Sequence, residues 1–151
     1  MPYSIAFHLL AVVVWVGGMF FAYNALRPAA AQVLEPPLRL ALWIQVFHRF
    51  FLWVWLSIFV VFGSGYWMLF QYFGGFASAA PYIHIMHSGA IIMLFLYLYV
   101  FFSPFRALQR AVIIKDFPQA GRCLNKIRIL VGINTVLGLL IIVTGSAGRY
   151  L

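Results

Sequence analysis

Four long apolar segments constrain the fold of this chain more than any other feature of its sequence. They cover about residues 3–26, 50–73, 82–102 and 129–147. Each is close to or above the roughly 20 residues with which a helix crosses about 30 Å of hydrocarbon. Only 8% of the 151 residues are charged, whereas about a quarter are charged in a soluble domain. The sequence therefore predicts an all-α integral membrane protein, with residues 1–151 forming a single transmembrane domain built as a four-helix bundle.

The basic residues lie almost entirely in two connections. Nine of the ten Lys and Arg residues fall in or beside residues 27–49 and 103–128, and Arg149 is the tenth. Because cytoplasmic loops carry an excess of Lys and Arg, we expect both connections to be cytoplasmic and both termini to lie outside. The net charge of +8 is then a topology signal for a multi-pass protein of the bacterial inner membrane. Nucleic acid is excluded as a partner.

Acidic residues are nearly absent, which excludes a further class of membrane protein. Glu35 and Asp116 are the only carboxylate side chains, and both fall in the predicted connections. No apolar segment therefore carries the intramembrane carboxylate expected of a proton- or sodium-coupled transporter. Cys123 is the single cysteine, so there is no intramolecular disulfide and no cysteine-based metal site.

The two halves of the sequence share several landmarks. A shift of 79 positions superposes Pro2 on Pro81, His8 on His87, Arg27 on Arg106 and Arg49 on Arg128. Two tandem two-helix repeats, related by an axis along the membrane normal, would produce this pattern. The alternative is that any up-and-down helix pair carries Pro and Arg at its membrane borders.

Two histidines lie at matched depth in this arrangement. His8 lies roughly 8 Å along its helix from Tyr3, and His87 lies roughly 8 Å from Tyr82. An imidazole inside a bilayer is costly unless it is ligated, paired or turned toward a polar cavity. The matched depth favours axial ligation of haem b by His8 and His87, with Arg149 as a partner for outward-facing propionates. A helix-to-helix hydrogen bond is the alternative role for each histidine.

A second set of ligands surrounds His87. His84 shares a helical face with His87 because the two are three residues apart, and Met86 lies between them in the sequence. Two imidazoles and a thioether, together with His8, suit copper, whose reduced form favours soft ligands. His84 is also an alternative to His87 as the haem ligand. The residues thus leave haem and copper both open.

Three residues near the cytoplasmic border are further candidates. His48, in the segment Phe47-His48-Arg49-Phe50, suits the membrane interface, and a second haem or a quinone pocket is its functional alternative. Arg49 and Arg128 are candidates for binding haem propionates or lipid phosphates on the inner side.

The chain resembles the CopD-like membrane proteins, the group that includes the copper-resistance D domain and is related to HemJ-type protoporphyrinogen oxidases. The resemblance is carried by His8 to Met19, Arg49-Phe50-Phe51, Tyr82-Ile83-His84 and Arg128 to Gly138. It implies haem b in the HemJ-type branch, or copper handling in the branch that named the family. His8 and His84 match histidines in the first and third helices of HemJ-type proteins. Those proteins follow the second histidine with a lysine two positions on, where this chain has Met86, which argues against porphyrinogen oxidation and leaves haem binding open.

The first hypothesis from the sequence is an inner-membrane haem b redox protein, either an electron-transfer protein or a haem-dependent oxidoreductase, with axial ligands His8 and either His87 or His84. The alternative is a copper-handling membrane protein with a His/Met site at its outer entrance. The expected partners are the lipid bilayer, a quinol or another redox protein, and a second copy of the chain in a homodimer.

Overall fold

Proline marks where each helix begins in the computed structural model, which describes residues 1–150. The helices are α1 (Pro2–Val33), α2 (Pro36–Tyr72), α3 (Pro81–Phe102), α4 (Pro104–Ile113) and α5 (Phe117–Ala147). Each has a proline within its first two positions, where the missing N–H needs no partner and the fixed φ suits a helix. Two short 3-10 turns, Phe76–Ser78 and Gly148–Tyr150, complete the fold.

Four helical stretches are long and apolar enough to cross a membrane. They are α1, α2, α3 continued by α4, and α5 with the turn that follows it. The described residues contain no strand. Large apolar side chains such as Leu52, Phe59 and Val143 point away from the bundle, as expected of surfaces that contact lipid. The prediction of an all-α membrane protein with four spans is confirmed.

The helices extend well beyond the predicted apolar segments. Residues 27–49 and 103–128 were expected to be connections, yet within them the chain leaves helical geometry only at 34–35, at Ser103 and at 114–116. α2 alone has 37 residues, about 55 Å of helix against about 30 Å of hydrocarbon. Hydropathy detects only the part of a helix that lies in lipid, so the helices extend past the apolar segments from which they were predicted. The cytoplasmic location of these segments stays a prediction.

The bundle has two chemically different ends. The basic end carries the breaks at 34–35 and 114–116 and most of the Lys and Arg side chains. The terminal end carries Met1, the turn Gly148–Tyr150 and the loop of residues 73–80. There the amino group of Met1 donates to the hydroxyl of Tyr72, and Gly148 lies against Tyr82. This separation of charge is the arrangement to which the positive-inside rule applies.

The packed core is richest in aromatic rings toward the basic end. α1 packs along α2, and α5 packs along α3 and α4. The ring of Phe51 stacks on Phe47 at 5.2 Å and meets Tyr97 and Phe105 edge-on at 5.5 and 5.0 Å. Offset and edge-on pairs of this kind are the favoured aromatic geometries. The most completely buried large side chains are Val54, Leu108 and Ile127.

Helix α1 departs from α-helical geometry twice. Val13–Gly17 and Ala22–Leu26 are π-helical. Each π turn takes up extra residues and so changes which side chains face the bundle, and such turns frequently occur at functional sites. The first turns Trp15 into the core. The second comes directly before Arg27, which lines a cavity at the basic end.

Candidate metal centre

His84 and His87 lie on one face of α3 at the terminal end, as their spacing predicts. The ring of Phe76, from the turn between α2 and α3, lies against both imidazoles. Its centroid is 6.2 Å from that of His84 and 5.0 Å from that of His87. His84 is exposed and His87 is half-buried. The two imidazoles therefore flank one aromatic ring at the mouth of the bundle.

Tyr66 of α2 holds the second imidazole in place. Its hydroxyl oxygen is 2.9 Å from Nε2 of His87, and the two rings meet edge-on at 5.7 Å. The hydrogen bond joins α2 to α3 and limits rotation of the imidazole. It also leaves Nδ1 of His87 for another ligand, because a histidine uses its two ring nitrogens separately. Neither Tyr66 nor Phe76 was identified from the sequence, since no short-range pattern relates them to α3.

Met86 lies on a different face of α3 from the two histidines. Its thioether packs against Gly145 of α5, where an added Cβ would lie 2.9 Å from the sulfur. Met93 lies seven residues further along α3 and packs in the same way against Gly138. Seven residues are about two helical turns, so the two methionines form a row along the contact between α3 and α5. Met86 was a candidate from the sequence and Met93 was not, although their seven-residue spacing is visible there.

His8 contacts α2. Its Nδ1 is 2.9 Å from the hydroxyl oxygen of Ser64, and its Cε1 faces Gly65. The Ser64 hydroxyl donates its single hydrogen to the carbonyl oxygen of Val60, so it accepts from Nδ1–H of His8. Nε2 of His8 is therefore the nitrogen with a free lone pair.

His8 and His87 do not make the matched contacts that a two-fold repeat predicts. His8 bonds to Ser64, and His87 bonds to Tyr66. Ser64 and Tyr66 are two positions apart on α2, so their side chains point about 200° apart around that helix. A repeat would give each histidine a partner within its own half, whereas His87 bonds to the first half. Axial ligation of one haem by this pair gains no support from these contacts and stays a prediction.

The other candidates are dispersed over the bundle. Nε2 of His48 lies 2.8 Å from the side-chain nitrogen of Gln109, toward the basic end. Arg49 is exposed on the same helix as His48. Arg128 lines the cavity at the basic end. Arg149 lies at the terminal end, stacked on a neighbouring tyrosine ring. His48, Arg49 and Arg128 thus lie away from the His84 and His87 pair, whereas Arg149 lies at the same end of the bundle as that pair.

These features define a class of protein: a multi-pass membrane protein with four spans and a histidine pair at its terminal end. The sequence profile of the CopD family, described as copper resistance protein D, matches residues 44–147. The match covers more than half of the chain, and the protein belongs to the CopD family. The resemblance noted from the sequence is thereby confirmed. No curated protein and no solved structure matches the chain significantly.

The family match bears unequally on the candidate residues. His84, Met86 and His87 fall inside residues 44–147, and His8 falls outside. The family description names copper, which supports copper handling by a copper-resistance membrane protein. It gives no support to haem b, electron transport or oxidoreductase activity. Within residues 1–150, no three His, Cys, Asp or Glu side chains are grouped closely enough to hold a metal ion.

Proposed function

We propose that this protein handles copper in the bacterial inner membrane, with copper as its cargo, and that His84 and His87 form the entry site on the outer face. The proposal is carried by one observation. These two imidazoles share a face of α3 and flank Phe76, inside the segment that matches the CopD family. Imidazole nitrogen is a suitable ligand for copper.

The contacts of His87 suit a metal ligand. When copper binds at Nδ1, Nε2–H donates to the hydroxyl oxygen of Tyr66, which lies 2.9 Å away. Metal-binding histidines usually donate their second N–H in this way, because the hydrogen bond fixes the ring and raises its basicity. His84 is exposed and supplies the second imidazole without having to leave a packed site.

The methionine row offers a path inward from this entry site. Met86 follows His84 by two residues, and Met93 lies about 10 Å further along α3. Both side chains pack against glycines of α5, and they fill the space that a side chain at Gly145 or Gly138 would take. Thioether sulfur favours Cu(I), which makes the row suitable for the reduced ion. Asn134 donates to the carbonyl oxygen of Met93 at 3.3 Å and ties this part of α3 to α5.

The test is the copper content of the detergent-purified protein and of three single variants. We expect His84→Ala and His87→Ala each to lose most of the copper bound by the wild type. His48→Ala is the matched control, because His48 bonds to Gln109 far from the entry site and should leave copper binding unchanged. Equal copper in the wild type and in both entry-site variants would contradict the proposal.

An absorption spectrum of the same samples separates copper from haem. Copper handling predicts no Soret band in the oxidised or the dithionite-reduced protein. A Soret band that disappears in His8→Ala and His87→Ala, without bound copper, would favour haem b ligated by these two histidines.

A further inference from the structure

A cavity lies at the basic end, between α1, α2 and α5. Its volume is about 480 Å³, within the range of pockets that bind small molecules. Three arginines line it, one from each helix: Arg27 from α1, Arg39 from α2 and Arg128 from α5. The cavity lies at the opposite end of the bundle from His84 and His87, so it is a separate site from the proposed copper entry.

The three guanidinium groups have no carboxylate partner. The chain contains only two acidic side chains, Glu35 and Asp116. Neither lines the cavity, and no ion pair is formed within residues 1–150. Three positive charges that share one cavity repel each other, so an anion that binds among them is favoured. Guanidinium groups suit phosphate in particular, because they present paired N–H donors to two of its oxygens.

Local structure positions one of these arginines. The guanidinium carbon of Arg27 lies over the ring of Tyr23, 4.5 Å from its centroid. Tyr23 belongs to the second π-helical segment and packs against Gly132 of α5, where a Cβ would lie 2.9 Å from the ring. The missing side chain at Gly132 thus lets the tyrosine lie close to α5. The stacking of Arg27 on this ring directs a positive charge to the cavity wall.

The rest of the cavity is mostly apolar. Trp43, Phe47, Leu124, Ile127 and Val131 contribute to its wall, and Asn125 adds one neutral polar side chain. A small hydrophilic anion gains nothing from such a wall. An amphiphile does, because its charged group meets the arginines while its hydrocarbon covers the aromatic and aliphatic side chains.

We propose that this cavity binds an anionic phospholipid, with the phosphate held by Arg27, Arg39 and Arg128 and an acyl chain against Trp43 and Phe47. The charge pattern predicts that the basic end lies at the cytoplasmic leaflet, where basic pockets between transmembrane helices bind anionic head groups. The site stabilises the packing of α1 and α2 against α5 at this end. This role does not depend on copper.

The test is thermal unfolding of the detergent-purified full chain with added phosphatidylglycerol, phosphatidylcholine or inorganic phosphate. We expect the melting temperature to rise with phosphatidylglycerol and to change little with the other two. Arg39→Gln and Arg128→Gln should each weaken the apparent affinity for phosphatidylglycerol about five-fold, the loss that corresponds to one basic side chain at a lipid head group. Arg110→Gln is the matched control, because Arg110 is an exposed arginine of α4 that does not line the cavity.

Three outcomes would overturn the proposal. The first is an equal response to phosphatidylglycerol in the wild type and both cavity variants. The second is an equal loss in Arg110→Gln, which would mean that overall charge attracts the lipid. The third is a response to inorganic phosphate as large as that to phosphatidylglycerol, which would make a free anion the ligand. Arg39→Lys and Arg128→Lys control for misfolding of the glutamine variants. They keep the positive charge and should therefore retain more affinity for phosphatidylglycerol than the glutamine variants do.

Discussion

Gly138 of α5 lies against Val16 of α1 and Met93 of α3, and adding one methyl group there tests the packing of the bundle. In Gly138→Ala, the new Cβ would lie 2.8 Å and 3.1 Å from the two γ-methyl carbons of Val16 and 3.2 Å from Cε of Met93. Carbon atoms in favourable contact are about 3.5–4.0 Å apart. The methyl group therefore overlaps two neighbours on two different helices.

The size of the effect depends on which neighbour can move. Met93 ends in a flexible thioether and can give way by rotation. Val16 cannot, because a β-branched side chain in a helix has one strongly preferred rotamer, and because Val16 is only 4% exposed. The backbones of α1 and α5 must then separate. Overpacking of this kind costs about 1–3 kcal/mol in the free energy of unfolding, which we expect for Gly138→Ala.

Gly63→Ala is the matched control, because an added Cβ at Gly63 meets no atom within 4 Å. Alanine also has the higher helix propensity, so this change should be neutral or stabilising by up to about 1 kcal/mol. Both variants can be compared by reversible unfolding in mixed detergent and denaturant. If Gly138→Ala were as stable as Gly63→Ala, the close approach of the three helices at Gly138 would be refuted.

Three further predictions concern the copper path and the topology. Tyr66→Phe removes the hydrogen bond to His87 and should weaken copper binding about 10- to 100-fold, measured by competition with a chelator; an unchanged affinity would exclude Tyr66 from the site. Met93→Leu preserves volume, at a cost below about 1.5 kcal/mol, and should slow copper movement into proteoliposomes while copper binding persists. Met68→Leu is its control on α2, and equal transport by the two variants would remove Met93 from the path. Ser78→Cys combined with Cys123→Ser should react with a membrane-impermeant thiol reagent added to intact cells, and labelling only after lysis would reverse the predicted orientation.

Much of the architecture follows from local properties of the sequence. A helix in hydrocarbon must carry apolar side chains over about 20 residues, so the number of spans is readable from hydropathy alone. The prolines at the helix starts and the crowding of Lys and Arg into two regions are equally local signals. The same holds for the shared face of His84 and His87, because helical periodicity determines it. The length of the helices was not readable, since residues 27–33 and 104–113 are helical outside the apolar segments.

The composition of each site was decided by the tertiary structure. Hydropathy and periodicity say which residues share a face of one helix, and they say nothing about which helix that face meets. The contacts of His87 with Tyr66 and of His8 with Ser64 depend on how α1 and α3 are placed around α2. The meeting of Arg27, Arg39 and Arg128 in one cavity depends on three helices and on a π turn in α1. The sequence by itself thus determined a four-span bundle, its family and the His84 and His87 pair, whereas helix rotation and packing decided which side chains contact the histidines and where the arginines converge.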